Sequence, residues 1–203
     1  IKVSETGKLS YEKERANASA KAVMNRVEVP RGGEFSLVLE DGTQVWLNAE
    51  SELRYPIHFM GKERVVYLKG EAYFNVVKNS DAAFLVQVDE FTVKVYGTEF
   101  NVKAYPDEMN VQATLLQGAV TVFSGFEKKE KVEIKPNQQA EWYRDSVKVR
   151  VKEVDPDLFM AWKNGRFIFR QDRLEDIMRT LARWYDVEVV YLNESVKNML
   201  FAG

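Results

Sequence analysis

The sequence predicts a mainly β protein: a twisted β-sandwich or solenoid-like stack, followed by a partial α+β (β-α-β) module. Three observations point there. Glycines at 42, 70, 97 and 118 each open a stretch of alternating polar and apolar residues, reading GTQVWLN, GEAYFNV, GTEFNVKAY and GAVTVF. From Glu34 to Val151 the apolar period is two, with turn residues at short intervals, as short strands require. At Asp155-Pro156 the order changes to strand, helix, strand.

Composition narrows the function classes. The chain has 203 residues, 45% hydrophobic and 30% charged, with a formal net charge of −2. That suits a globular core and offers no single-sign field for nucleic acid or an anionic membrane. Cysteine is absent, which removes disulfides and thiolate chemistry. No apolar run approaches the roughly 20 residues that span a bilayer, and no signal peptide is visible. Ile1 is read as internal to a longer chain.

Taken in order, residues 1–26 read as a polar tether with helical tendency over Tyr11–Met24. Pro30-Arg31-Gly32-Gly33 punctuates the chain. Phe35, Leu37 and Leu39, the Asp41-Gly42 turn, then Val45 and Leu47 form a hairpin signal. Further strands are expected at Val65–Leu68, Ala72–Val77, Phe84–Val88, Phe91–Val95, Phe100–Ala104, Val111–Leu116, Ala119–Phe123, Lys131–Ile134, Gln139–Tyr143 and Val147–Val151. After Gly42 and Gly97 the inward residues fall at offsets three and five; after Gly70 and Gly118 they fall at offsets two and four. The repeat is therefore architectural rather than a strict sequence repeat, and 27–154 reads as one all-β domain.

Residues 155–203 form the second unit, read as incomplete. Leu158–Trp162 is a short helix or turn, and Arg166–Phe169 a strand. Asp172 is placed to cap a helix whose apolar stripe is Leu174, Ile177, Met178, Leu181 and Trp184–Tyr185. Asp186 ends it, and Val187–Tyr191 is the next strand.

Catalytic groups are sparse. His58 is the only histidine, so a metal or a triad would need distant carboxylates; it is read as structural. Glu71 and Glu99 are the acidic residues held in strand patterns. A glycosidase pair could be drawn from them, but they are read as solvent-facing positions beside turns. The glycines lack any phosphate-loop context. The FEKKEKVEIK run at Phe126–Lys135 alternates sign, as a solvated hairpin arm does. The four tryptophans are read as core rather than as a sugar platform. No enzyme activity, cofactor or metal is expected.

Four strings then add a resemblance: LEDGTQVWLNAESELRYP (39–56), ERVVYLKGEAYFNVVKNSDAAFLVQV (63–88), VYGTEFNVKAYPDEMNVQATLLQGAVTV (95–122) and IKPNQQAEW (134–142). They resemble the FecR family, periplasmic regulatory domains of transmembrane anti-sigma factors. WKNGRFIFRQDRLEDIMRTLARWYDVEVVYLNES (162–195) and FAG (201–203) are similar to the C-terminal domain that follows in Bacteroidetes-type members. The resemblance runs from about Val29 to the last residue.

It implies a cytoplasmic domain that holds an extracytoplasmic-function sigma factor, one inner-membrane helix, and this periplasmic part. The C-terminal unit is similar to a secretin/TonB N-terminal domain. It would receive a signal from the periplasmic signalling domain of a TonB-dependent outer-membrane transporter of glycans or iron siderophores. Proteolysis of the anti-sigma factor then frees the sigma factor. The sigma-binding domain and membrane helix are expected outside these residues. The expected partner-binding residues are Phe167, Phe169, Arg179, Arg183, Val187, Val189 and Tyr191. In that reading Phe167–Phe169 or Val187–Tyr191 offers an edge for strand addition, and Arg179 and Arg183 lie exposed on the far face of the helix. The alternative is a periplasmic carbohydrate- or ligand-binding β module.

Overall fold

The structure is a computed structural model and describes residues 2–3, 9–10, 23–125, 130–146 and 148–203. Two short strands, β1 (Lys2–Val3) and β2 (Leu9–Ser10), pair with each other. The main fold starts at β3 (Met24–Val29), then β4 (Phe35–Val38), β5 (Gln44–Leu47) and β6 (Ser51–Pro56). The long β7 (Glu63–Asn75) leads to β8 (Ala83–Val88), β9 (Phe91–Val95) and β10 (Glu99–Ala104). Next come β11 (Asn110–Gln117), β12 (Val120–Ser124), β13 (Glu130–Ile134), β14 (Gln138–Tyr143) and β15 (Val149–Glu153).

Strand β7 belongs to both layers of the sandwich. Its second half pairs with β5 and β10 in the order β2-β4-β5-β7-β10-β11-β14-β15. Its first half pairs with β6 and, in parallel, with β8, in the order β3-β6-β7-β8-β9-β12-β13. The layers part at Gly70. There φ is +92°, and a Cβ would lie 2.7 Å from the Ser51 Cα. Only glycine tolerates that conformation and approach together.

The inward residues expected from the four glycine-led strands are all in the core. Val45, Leu47, Ala72, Phe74, Phe100, Val102 and Val122 are 0% exposed and Val120 1%. They join Leu53, Val66, Phe84, Val86, Phe91 and Val93 of the second layer in one apolar cluster. Burial on this scale is the main source of stability.

Several strand expectations are corrected. Val65–Leu68 and Ala72–Asn75 of the expected Ala72–Val77 are parts of the single strand β7, because Gly70 bends the chain without breaking its pairing, and Val76 and Val77 lie past its end. Strands β3 and β6, which pair along their whole length, went unread. Met24–Arg26, assigned to the tether, lie in β3; most of the helical tendency expected over Tyr11–Met24 falls outside the described residues.

After β15 the chain forms two 3-10 helices, Pro156–Phe159 and Ala161–Asn164. A two-residue strand, β16 (Asp172–Arg173), precedes α1 (Leu174–Tyr185). A third 3-10 helix, Glu194–Asn198, precedes β17 (Leu200–Phe201), which pairs with β16. Among the described residues no helix is long and apolar enough to cross a membrane.

The β-α-β expectation is corrected in detail. Arg166–Phe169 is not a strand; Phe169 exchanges backbone hydrogen bonds with Gly203 alone, too little for a ladder. Val187–Tyr191 is not a strand either, for Glu188 to Leu192 find no backbone partner among the described residues. Asp172 does not cap α1: its carboxylate accepts from the Arg170 N–H, and Arg173 is the cap residue, without a side-chain cap bond. Glu175 and Asp176 supply negative charge to the first turn instead. Asp186 does end the helix, in the left-handed conformation.

Candidate functional site

The outer face of β5, β7, β10 and β11 is not left to solvent. The segment 160–184 lies on it. Tyr73, Met160 and Trp162 form a second apolar cluster there, with Trp46, Leu116, Phe167 and Trp184 packed around them. The Lys163 ammonium sits 4.6 Å from the Trp46 ring centre and 4.3 Å from that of Tyr73. Beside the cluster is a polar junction, and it is the candidate functional site.

Its floor is Glu71, 7% exposed. The Asn48 amide donates to one carboxylate oxygen and the Asn101 amide to the other, each at 2.9 Å. Burial pushes the Glu71 carboxyl up; Lys103 and the two amides oppose the shift. The Asn48–Ser51 turn between β5 and β6 is tied down at every residue. Asn48 Oδ1 accepts from the Ala49 N–H, and Ala49 O accepts from the Tyr105 hydroxyl. The Glu50 N–H reaches Pro30 O, and Ser51 Oγ accepts from the Glu71 N–H. Burial also pushes the Tyr105 hydroxyl well up.

Its roof is Arg183 of α1, whose side chain is 5% exposed. Its Nε donates to Glu50 at 3.1 Å, Nη1 to Glu108 at 2.6 Å, and Nη2 to both Asp107 oxygens at 2.6 Å. The guanidinium lies 3.8 Å over the Tyr105 ring. Lys103 reaches Glu108 at 2.9 Å. A small cavity lined by Asn48, Glu71, Tyr105, Thr180, Arg183 and Trp184 separates floor from roof.

The same C-terminal turn of the helix is also gripped through its backbone from the β-sandwich. Arg31 Nη2 donates to Ala182 O at 2.8 Å and to Val187 O at 3.0 Å, and the Gly32 N–H donates to Arg183 O at 2.8 Å. Carbonyls in a last helical turn lack partners within the helix, and this turn supplies them.

The residues expected to bind a partner are therefore divided. Arg183 is not exposed; it is spent on the junction. Phe167 is half-buried, edge-on to Trp184 at 4.9 Å and stacked with Phe169 at 6.2 Å. Arg179 is part-exposed and paired with Glu175 and Asp176 along its own helix. Val187, Val189 and Tyr191 lie together past the helix; Val187 is 46% exposed, and Tyr191 lies beneath Lys197.

Glu71 is not the solvent-facing position expected. Its phase was read correctly, but the face is covered. Glu99 accepts from the Tyr73 hydroxyl and His58 pairs with Glu40, whereas the cavity beside Glu71 is lined by neither. Among the described residues no cluster of three or more His, Asp or Glu is placed to hold a metal. Sequence reasoning missed Arg31, Asn48, Glu50, Asn101, Asp107 and Glu108. A signal existed: WLNAES delivers Asn48 and Glu50, GEAYF Glu71, GTEFN Asn101, and YPDE Asp107 and Glu108.

The described residues thus form a β-sandwich that seats a C-terminal helix on a polar junction. The FecR protein family matches residues 25–121, and the FecR C-terminal family matches residues 166–203. A candidate anti-sigma factor from Parabacteroides distasonis ATCC 8503 has been solved at 1.65 Å and at 2.50 Å resolution. The first structure is 30% identical, with 88% of this chain and 83% of that chain covered and a TM-score of 0.82. The second is also 30% identical, with coverages of 89% and 84% and a TM-score of 0.82. No curated protein matches the chain. The chain belongs to the FecR family of anti-sigma factors.

Proposed function

We propose that this chain is the periplasmic receiver of a single-pass inner-membrane anti-sigma factor. It relays a signal from the signalling domain of a TonB-dependent outer-membrane transporter to an extracytoplasmic-function sigma factor. The membrane helix and the sigma-binding part are assigned to regions other than these residues. The observation that carries the reading is the stretch after α1. Val187, Val190 and Leu192 are 46%, 79% and 99% exposed. The backbone of Glu188 to Leu192 is unpaired among the described residues. Free backbone flanked by exposed apolar side chains is what strand addition uses. Arg179 stands on the helix leading into it.

Among the described residues the tryptophans do not line up as an open sugar platform. Trp142 and Trp162 are buried, Lys163 covers Trp46, and Trp184 packs on Phe167.

Calorimetric titration of the transporter's isolated signalling domain against this chain tests the reading. Val189→Pro removes one free N–H without touching the core, and is expected to weaken binding about tenfold; Arg179→Glu is expected to weaken it less. Wild-type affinity in both variants would exclude this surface.

A further inference from the structure

We propose that Arg31 and Arg183 form a two-sided latch that seats α1 and couples the Val187–Tyr191 edge to β3. What the coupling signals rests on the relay reading; the latch itself does not. Three observations support it. First, the seat combines apolar packing with a buried arginine. Of the twelve residues of α1, the buried ones are Ile177, Ala182 and Arg183. With an arginine among its three buried residues beside the Trp184–Phe167 contact, the helix docks as the more polar contacts between domains do.

Second, the bonding is cooperative. Arg183 bonds Glu50, Asp107 and Glu108 at once, and Lys103 adds a second cation on Glu108. Removing the guanidinium takes this cation from Glu50 and Asp107 and leaves Glu108 with Lys103, so three ion pairs are lost together. A buried ion network adds little net stability over apolar packing, and its best-attested use is as a register or switch device.

Third, Arg31 is shared between the edge and the sandwich. It binds Val187 O, the first carbonyl of the expected partner edge, and it sits in the turn that follows β3. A partner strand that takes the Val187 carbonyl displaces Arg31. Strand β3 pairs only with β6 among the described residues, so one neighbour restrains its response. The path from edge to first main strand is thus one side chain long.

Hydrogen exchange on the whole chain, without any partner, tests this. In Arg183→Gln the Gly32 amide and the amides of α1 are expected to exchange roughly tenfold faster or more, with β10 and β11 unchanged. Arg31→Ala leaves the Arg183 network in place, and is expected to speed exchange at the Val187 end of the helix and in β3. Wild-type rates at α1 and Gly32 in Arg183→Gln would overturn the latch. So would loss of β10 and β11 protection in Arg31→Ala, which would make the clasp a keystone of the core. Failure of the relay reading shows separately, as absence of partner binding.

Discussion

Glu71 has to accept two hydrogen bonds. Both amides that face it are pinned in orientation, Asn48 by the Ala49 N–H and Asn101 by Trp162 Nε1 at 3.4 Å. Each can therefore offer only its NH2. In Glu71→Gln one NH2 must meet another, which is expected to cost about 1–3 kcal/mol in chemical denaturation at pH 7. A protonated carboxyl escapes that clash, because its hydrogen can turn to the cavity while both oxygens still accept. The pH dependence follows from the raised pKa. The folded chain holds this proton above the ordinary value of 4.5, where the unfolded chain releases it. The stability Glu71 contributes is complete below 4.5 and is lost as pH rises through the raised folded value. The advantage of wild type over Glu71→Gln should therefore shrink as pH rises through that window. An advantage that grows instead would show that the two amides outweigh burial.

Among the elements, β7 decides the architecture. Gly70→Ala adds positive-φ strain and drives a Cβ to 2.3 Å from Ser51 Oγ, with backbone just behind it. We expect a loss of roughly 3 kcal/mol or more, read as a lower thermal midpoint. Unchanged stability would mean the two layers are not joined through this close approach. The same strand shows what was legible in the sequence. Alternation is local, so the inward phase of Ala72 and Phe74 could be read, and so could that of Val45, Leu47, Phe100 and Val102. A glycine inside a strand looks like a turn, so one strand was read as two. The outward phase of Glu71 and Tyr73 was also right, yet outward is not exposed when residues 160–184 return to cover that face. Arg183 contacts residues 133, 76 and 75 positions away, and no periodicity records such pairings. Val187–Tyr191 has strand composition, but a strand also needs a partner.

At the scale of the molecule, the inner face of the sheets makes a rigid body and the outer face makes a seat. The C-terminal segment is held there by a junction whose groups come from four separate stretches of chain. The stretch proposed to take a partner strand begins where that seat ends, one arginine from β3. The central claim is that this edge receives the signal and that β3 feels it. Hydrogen exchange on the chain, with and without the transporter's signalling domain, tests it most directly. The account predicts slowed exchange at Glu188–Tyr191 together with altered exchange at Gly32 and Met24–Val29. Protection confined to another edge, such as Val149–Glu153, or protection at Glu188–Tyr191 with no change in β3, would contradict it.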